Sequence, residues 1–206
     1  LKKQAFWQIY LPAQKYIPRP KFNISVVNNE THQADLLFLP HDRVGRKTYK
    51  YALTVVDVAS RYKDAEPLST KNSEEVAKAF TNIYKRGPLK WPKLLQVDPG
   101  REFMGSVNTL MKSKNVSIKR GEPGLHRSQG IVERFNRSLA EKLFHVQYAK
   151  EILMEARNGK NVRSTEWVKN LPEVIKALNN ETTRLIGMTP SEAIKLKLLV
   201  LNLQHQ

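Results

Sequence analysis

Cysteine is absent from all 206 residues, which excludes disulfides and every thiolate-bearing zinc site. The five histidines, His32, His41, His126, His145 and His205, show no paired ligand spacing, so zinc is not expected either. Long apolar runs are also missing. A bilayer span needs about 20 such residues, and the late run from Leu198 to Leu201 is far shorter. No internal repeat and no low-complexity tract is present. The chain opens on Leu1 without a charged-then-apolar leader, which predicts a segment cut from something longer and carrying no secretory signal.

Acidic residues are scarce: 19 Asp and Glu stand against 35 Lys and Arg, a net charge of +16. That excess predicts a polyanionic partner, nucleic acid first. A membrane surface would favour one basic amphipathic helix, whereas here the cations are spread from Lys2 to Lys197. The length allows one well-cored domain with an appendage.

In chain order, residues 1–30 read as an arm or linker: Trp7 and Tyr10 lie on a short amphipathic segment, and Pro18 and Pro20 enforce an extended path. Gln33 to Leu39 reads as a buried strand stopped by Pro40, followed by a basic turn from His41 to Lys50. Tyr51 to Val58 and Arg61 to Leu68 continue an antiparallel meander. A helix capped by Ser73 follows, with Val76, Phe80, Ile83 and Tyr84 on its apolar face, and Gly87-Pro88 ends it. Lys93 to Val97 is a strand, Phe103 to Lys114 a helix and Val116 to Lys119 a short strand. Strands alternating with helices after a meander predict a mixed sheet with helices packed on it. Gly121 to Gly130 is expected to be a mobile loop. The helix beginning at Gly130 buries Val132, Phe135, Leu139, Leu143 and Val146, and Ser164 to Asn180 and Ser191 to Leu199 are read as further helices.

Three carboxylates interrupt this pattern. Asp35 lies inside the run Ala34 to Leu39, Asp98 ends the strand Leu94 to Val97, and Glu133 stands one residue off the buried stripe of the helix after Gly130. Acids that border apolar elements are costly to desolvate unless they are paired or hold a cation, so the three together predict a metal site. Asp57, in Val55 to Arg61, is a fourth acid in a strand, for which a structural hydrogen-bonding or arginine-pairing role is expected. His126 falls in the polar loop, where a surface role is expected.

The contexts of these acids resemble a known family. Asp35 in a first strand, Val97-Asp98-Pro99-Gly100-Arg101-Glu102-Phe103, and Ser128-Gln129-Gly130-Ile131-Val132-Glu133-Arg134-Phe135-Asn136 are similar to the D,D-35-E catalytic core of retroviral and retrotransposon integrases. The likeness covers about residues 31–150. The later Asn179-Asn180-Glu181 and Gly187 to Ala193 resemble the segment after that core, and Ile17-Pro18-Arg19-Pro20 with the core looks most like the integrases of Maverick/Polinton-type transposons. Two departures stand out. Asp98 and Glu133 have 34 residues between them where the family usually has 35, and Pro99 replaces a common asparagine and removes a backbone donor.

The resemblance implies an α/β, RNase H-like fold: a five-stranded mixed sheet flanked by helices, with a C-terminal helical extension. It divides the chain into an arm at 1–30, a catalytic core at 31–150 and the extension at 151–206. Asp35, Asp98 and Glu133 become catalytic metal ligands for Mg²⁺ or Mn²⁺, as two ions roughly 3.5–4 Å apart, serving in-line displacement at phosphorus. Water as nucleophile nicks DNA, and a DNA 3′-hydroxyl joins strands. Gln129, Asn136 and Arg137 are expected at the DNA by resemblance, and Lys119 and Arg120 on grounds of charge. Element ends and target DNA are the implied partners, a homo-oligomer the implied assembly and the nucleus the implied place of work. A domesticated or decayed copy that binds DNA without cutting it, and an RNase H-type nuclease, are the alternatives.

Overall fold

The computed structural model describes residues 22–121, 129–158, 163–196 and 198–203. Five strands form the central sheet: β2 (Thr31–Val44), β3 (Lys47–Asp57), β4 (Lys63–Leu68), β5 (Leu94–Val97) and β6 (Ser117–Arg120), in the order β4-β3-β2-β5-β6. The β2-β3-β4 part is antiparallel, while β5 runs parallel to β2 and β6 parallel to β5. Parallel neighbours need crossovers, and helices α1 (Ser73–Arg86) and α2 (Ser106–Ser113) supply them. Helices α3 (Gly130–Asn158) and α4 (Leu171–Asn180) cover the opposite face. This is the mixed sheet with packed helices that the residue pattern predicts, with the five strands that the resemblance implies.

Strand β3, inside the sheet, shows why it is covered twice. Along β3, Leu53 and Val55 pack with Val76, Phe80 and Val107, whereas Ala52 and Val56 pack with Val132, Phe135 and Leu139. Alternate residues of a strand face opposite sides, so a continuous apolar run demands a layer on each. On α3 the expected stripe is the buried one: Val132, Phe135, Leu139 and Leu143 are all almost fully enclosed.

Several elements differ from the sequence reading. Pro40 does not end its strand. β2 continues to Val44 through a register shift between Phe38 and Asp42, because a residue without an N–H interrupts the ladder without stopping the chain. The turn that follows is only Gly45-Arg46, with Gly45 at φ 61°. Ser73 does not cap α1. Asn72 holds the cap position without a side-chain bond, and the Glu75 carboxylate instead accepts from the amides of Ser69 and Thr70 at 2.9 and 2.8 Å. The helix expected over 103–114 is a 3-10 turn (Arg101–Phe103) and then α2, separated by Gly105 at φ 51°.

The C-terminal region holds the largest difference. Ser164 to Asn170 is irregular, pinned where Trp167 Nε1 donates to Pro40 O at 2.7 Å and the Val168 amide donates to Asp42 Oδ2 at 2.8 Å, so α4 starts only at Leu171. The helix expected over 191–199 is one turn, α5 (Pro190–Ala193), held by a reciprocal Thr189–Glu192 cap. The chain then forms β7 (Leu198–Leu203), antiparallel to β1 (Phe22–Val27) from Val27↔Leu198 to Phe22↔Leu203. A short leucine-rich run fits either helix or strand, and only a partner strand decides. The rest of the expected arm, residues 1–21, lies outside the described residues.

Candidate active site

Strand register brings the two aspartates together. Gln33 on β2 is level with Gln96 on the parallel β5, so two residues further along Asp35, within β2, is level with Asp98, just past the end of β5. Glu133 comes from the first turn of α3. The start of that helix is tied to the sheet by Gln33, whose Oε1 accepts from the Val132 amide at 3.1 Å while its Nε2 donates to Gln96 Oε1 at 2.9 Å. One buried glutamine thus satisfies a helix-terminal donor and links β2, β5 and α3.

Asp35 is only half-buried, and its orientation is fixed at both oxygens. Oδ1 accepts from the Leu36 amide at 2.7 Å, and Oδ2 from Asn136 Nδ2 at 2.8 Å. Asn136 is in turn set by Thr54, the cross-strand neighbour of Asp35, whose hydroxyl lies 2.7 Å from Asn136 Oδ1 and 3.1 Å from the Asp35 carbonyl oxygen. Because Oδ1 accepts from the hydroxyl, the NH₂ end must face the carboxylate. Asn136, expected among the DNA-contacting residues, is therefore buried with both ends of its amide engaged inside the protein.

The electrostatics identify the neighbours of Asp35. Burial pushes its carboxyl pKa up, the Leu36 amide opposes that, and the like charges of Asp98, Glu133 and Glu102 push it up further. Repulsion of this kind is what a bound cation offsets. Glu102 was not among the predicted residues. It sits in the 3-10 turn after Asp98, and Gly100 makes room for it: a Cβ there would stand 2.6 Å from Glu102 Oε2 and 3.0 Å from Asp98 Oδ1. Asp98 Oδ1 accepts from the Gly100 amide at 3.2 Å, while Pro99 is exposed. The donor set is all carboxylate oxygen, which suits a hard cation. Among the described residues no three such side chains stand close enough to hold an ion as they are placed, and Glu133 points from an exposed position.

The other predicted residues are dispersed around this centre. Arg137 and Lys119 are exposed, and Gln129 is half-buried just before α3. Arg120 is tethered, its Nη2 donating to Phe103 O at 3.0 Å and Asn108 Oδ1 at 2.6 Å. His126 and most of the loop 121–130 lie outside the described residues. Asp57 is fully buried, and its carboxylate accepts from the Ser60 amide (2.8 Å), the Ser60 hydroxyl (2.5 Å) and the Asn29 amide (3.0 Å). Its role is structural. Gln33, Thr54 and Glu102 are what the sequence reading missed; Gln33 was accessible in principle, because it shares a strand face with Asp35 two residues on.

A mixed five-stranded sheet in the order β4-β3-β2-β5-β6, with acids within β2, just past the end of β5 and at the head of the covering helix, is an RNase H-like fold. Solved structures agree. The HTLV-2 integrase catalytic core domain in complex with magnesium superposes with a TM-score of 0.58 at 18% identity over 82% of this chain and 97% of that one. A simian T-cell lymphotropic virus intasome gives 0.63 at 16% identity over 89% and 61%. Among sequence relatives, the Gag-Pol polyprotein of Walleye dermal sarcoma virus is 28% identical over 70% of this chain and 8% of its own length. A transposon-derived protein of Caenorhabditis elegans is 27% identical over 68% and 44%, and the retrovirus-related Pol polyprotein from transposon 412 of Drosophila melanogaster 33% over 45% and 7%. The chain thus spans less than half the length of each of these sequence relatives. No family model matches it. In fold and in sequence the chain is thus similar to the integrase cores of retroviruses and transposons.

Proposed function

We propose that this core carries out divalent-metal-dependent cutting and joining of DNA strands for a mobile element. The observation that supports it best is the half-buried Asp35, locked by Asn136 and crowded by Asp98, Glu133 and Glu102 in an integrase-type fold. Asp35, Asp98 and Glu133 would hold Mg²⁺ or Mn²⁺, two ions in the proposed reading, which when bound activate the attacking oxygen and neutralise the leaving one. The protein's own contribution is placement. Asn136 and Thr54 fix the Asp35 carboxylate, Gln33 fixes the helix that brings Glu133, and the excess of cations binds the phosphate backbone.

No helix among the described residues is long and apolar enough to cross a membrane. The solved relatives include dimeric and trimeric forms, and a homo-oligomer is part of this proposal. The outer half of α3 supports it by exposing Phe144, Tyr148, Ile152 and Leu153, an apolar surface that a second copy would cover. Work on chromosomal DNA would place the protein in the nucleus.

The test is strand joining on a branched DNA substrate with Mg²⁺ or Mn²⁺, comparing the wild type with Glu133→Gln. Joining by the wild type and its loss in the variant, with folding intact by circular dichroism, is the expected result; equal joining by both would overturn the assignment. A second reading, a DNA-binding copy without catalysis, rests on Pro99, which removes an amide donor beside Asp98. It predicts salt-sensitive DNA binding that neither metal nor Glu133→Gln alters.

A further inference from the structure

Where the active site ends, a second feature begins. A cleft of about 400 Å³ opens between the β3–β4 turn and the first turns of α3, and Gln33, which anchors that helix, forms part of its wall. Val56, Ile131 and Phe135 make its apolar side. Its charged side is made by Arg61, Lys63 and Arg134. Such a volume suits a small ligand or one unit of a polymer.

The cations make no direct ion pair. Among the described residues, none of the three forms an ion pair with a carboxylate. Asp57 attracts Arg61 from beyond ion-pair distance, its oxygens being hydrogen-bonded to Ser60 and Asn29. Glu181, the acid that Lys63 feels, is paired with Lys142. Among the described residues, Lys63 Nζ donates to the Arg61 carbonyl oxygen alone, at 3.0 Å. Arg61 itself sits at φ 60°, in the left-handed region, held there by the turn bonds Arg61 N to Asp57 O (3.0 Å) and Asp57 N to Tyr62 O (2.9 Å). A non-glycine residue kept in that conformation is maintained by its surroundings. Burial, and then repulsion by Arg61, pulls the Lys63 ammonium down to about 8 against the pull of Glu181, and burial, opposed by Asp57 and aided by Arg134, brings Arg61 down to about 10. Crowded, partly desolvated cations beside open space are a site awaiting negative charge.

We propose that this cleft is a phosphate-binding subsite, with Arg61, Lys63 and Arg134 as its donors. Three converging cations match the double charge of a phosphate better than the single charge of a carboxylate. The phosphate belongs either to a DNA strand passing the head of α3 or to a small phosphorylated molecule, and only the first source rests on the function proposed above. The subsite is separate from Asp35, Asp98 and Glu133 and uses none of their oxygens.

Inorganic phosphate titrated into the whole chain, with the Lys63 side-chain resonance followed by NMR and assigned through Lys63→Met, tests the site directly. Saturable binding and a rise of the Lys63 titration midpoint from about 8 are expected, because a bound anion favours the ammonium form. Arg61→Gln and Arg134→Gln should each weaken phosphate roughly tenfold. Arg134 lies exposed on α3, so its variant keeps the test valid if the Arg61 variant does not fold. A Lys63 titration indifferent to phosphate, or variants that bind as the wild type does, overturns the subsite. Two arms separate the sources. A salt dependence of duplex binding shallower by about 0.9 in Arg134→Gln indicates the DNA strand. An unchanged slope with weaker thymidine monophosphate binding indicates a small phosphate. Strand joining by a wild type that ignores phosphate overturns the subsite alone. Phosphate binding without metal-dependent joining supports the subsite and counts against the transferase, and the two arms still decide the source.

Discussion

Asn136 on α3 donates to Asp35 on β2 across 2.8 Å, and this single hydrogen bond joins the covering helix to the acid at the centre of the candidate site. The Thr54 hydroxyl, from the neighbouring strand, holds the other end of the same amide. Three elements therefore agree on where one carboxylate points. Such support is what keeps a metal ligand within its productive geometry.

Asn136→Ala should lower strand joining about 10–100-fold and raise the Mg²⁺ concentration needed for half-maximal rate, as loss of an outer partner does at metal sites. Thr54→Val, which keeps volume but frees Asn136, should give a smaller change in the same direction. A joining assay over a metal titration checks both. A fall in stability without a shift in metal dependence would show that the amide serves packing alone.

Asn179 should be a hinge-pin of stability instead. Its buried amide accepts from the Lys63 N–H at 2.9 Å and donates to the Lys63 carbonyl at 2.8 Å, completing the start of edge strand β4 as a further strand would. Asn179→Ala leaves both backbone groups without that partner and should cost about 2 kcal/mol in urea unfolding. Asn179→Asp, which keeps the acceptor and loses the donor, should fall between.

Acid should destabilise the fold through His32. The imidazole is fully buried, its Nδ1 lies 3.0 Å from the Tyr84 hydroxyl, and its Nε2 stands 3.6 Å from Asp57 Oδ1, beyond hydrogen-bond reach. Burial lowers its pKa from 6.5 to about 3. Between those values the unfolded chain binds a proton that the folded chain refuses, so stability falls as pH drops from 6.5 toward 3, by at most about 1.4 kcal/mol per pH unit. Asp57 has the opposite sign: burial raises its carboxyl, which takes up protons in the folded state and flattens the low-pH end. Denaturation of wild type and His32→Gln across this range checks the prediction, and the variant should lose the steep limb.

Charge and structure separate the remaining basic residues. Lys119 and Arg137 are exposed, so replacing either with alanine should reduce the slope of log affinity against log salt by about 0.9 for duplex DNA, with little change in stability. Arg120, tied to Phe103 and Asn108, should behave differently, with Arg120→Ala lowering the melting temperature. Anisotropy titrations at several salt concentrations and a thermal melt distinguish the two behaviours.

Local pattern was enough to reveal the architecture. The continuous apolar run around Ala52 to Val56, the stripe from Val132 to Leu143 and the acids at Asp35, Asp98 and Glu133 are written in residue spacing, because strand and helix periods are properties of the backbone alone. Cysteine's absence and the +16 charge likewise excluded chemistries and pointed to a polyanion before any fold was known. Tertiary structure decided everything that depends on which distant groups meet. It continued β2 past Pro40, turned Leu198–Leu203 into a strand by giving it β1, and made Gln33, Thr54 and Asn136 the supports of helix and carboxylate. It also set Arg61, Lys63 and Arg134 around one cleft. Those residues are 99, 82 and 73 positions apart in the pairs Gln33–Val132, Thr54–Asn136 and Arg61–Arg134, and hydrogen bonds and Coulomb forces act through space, which a linear pattern does not record.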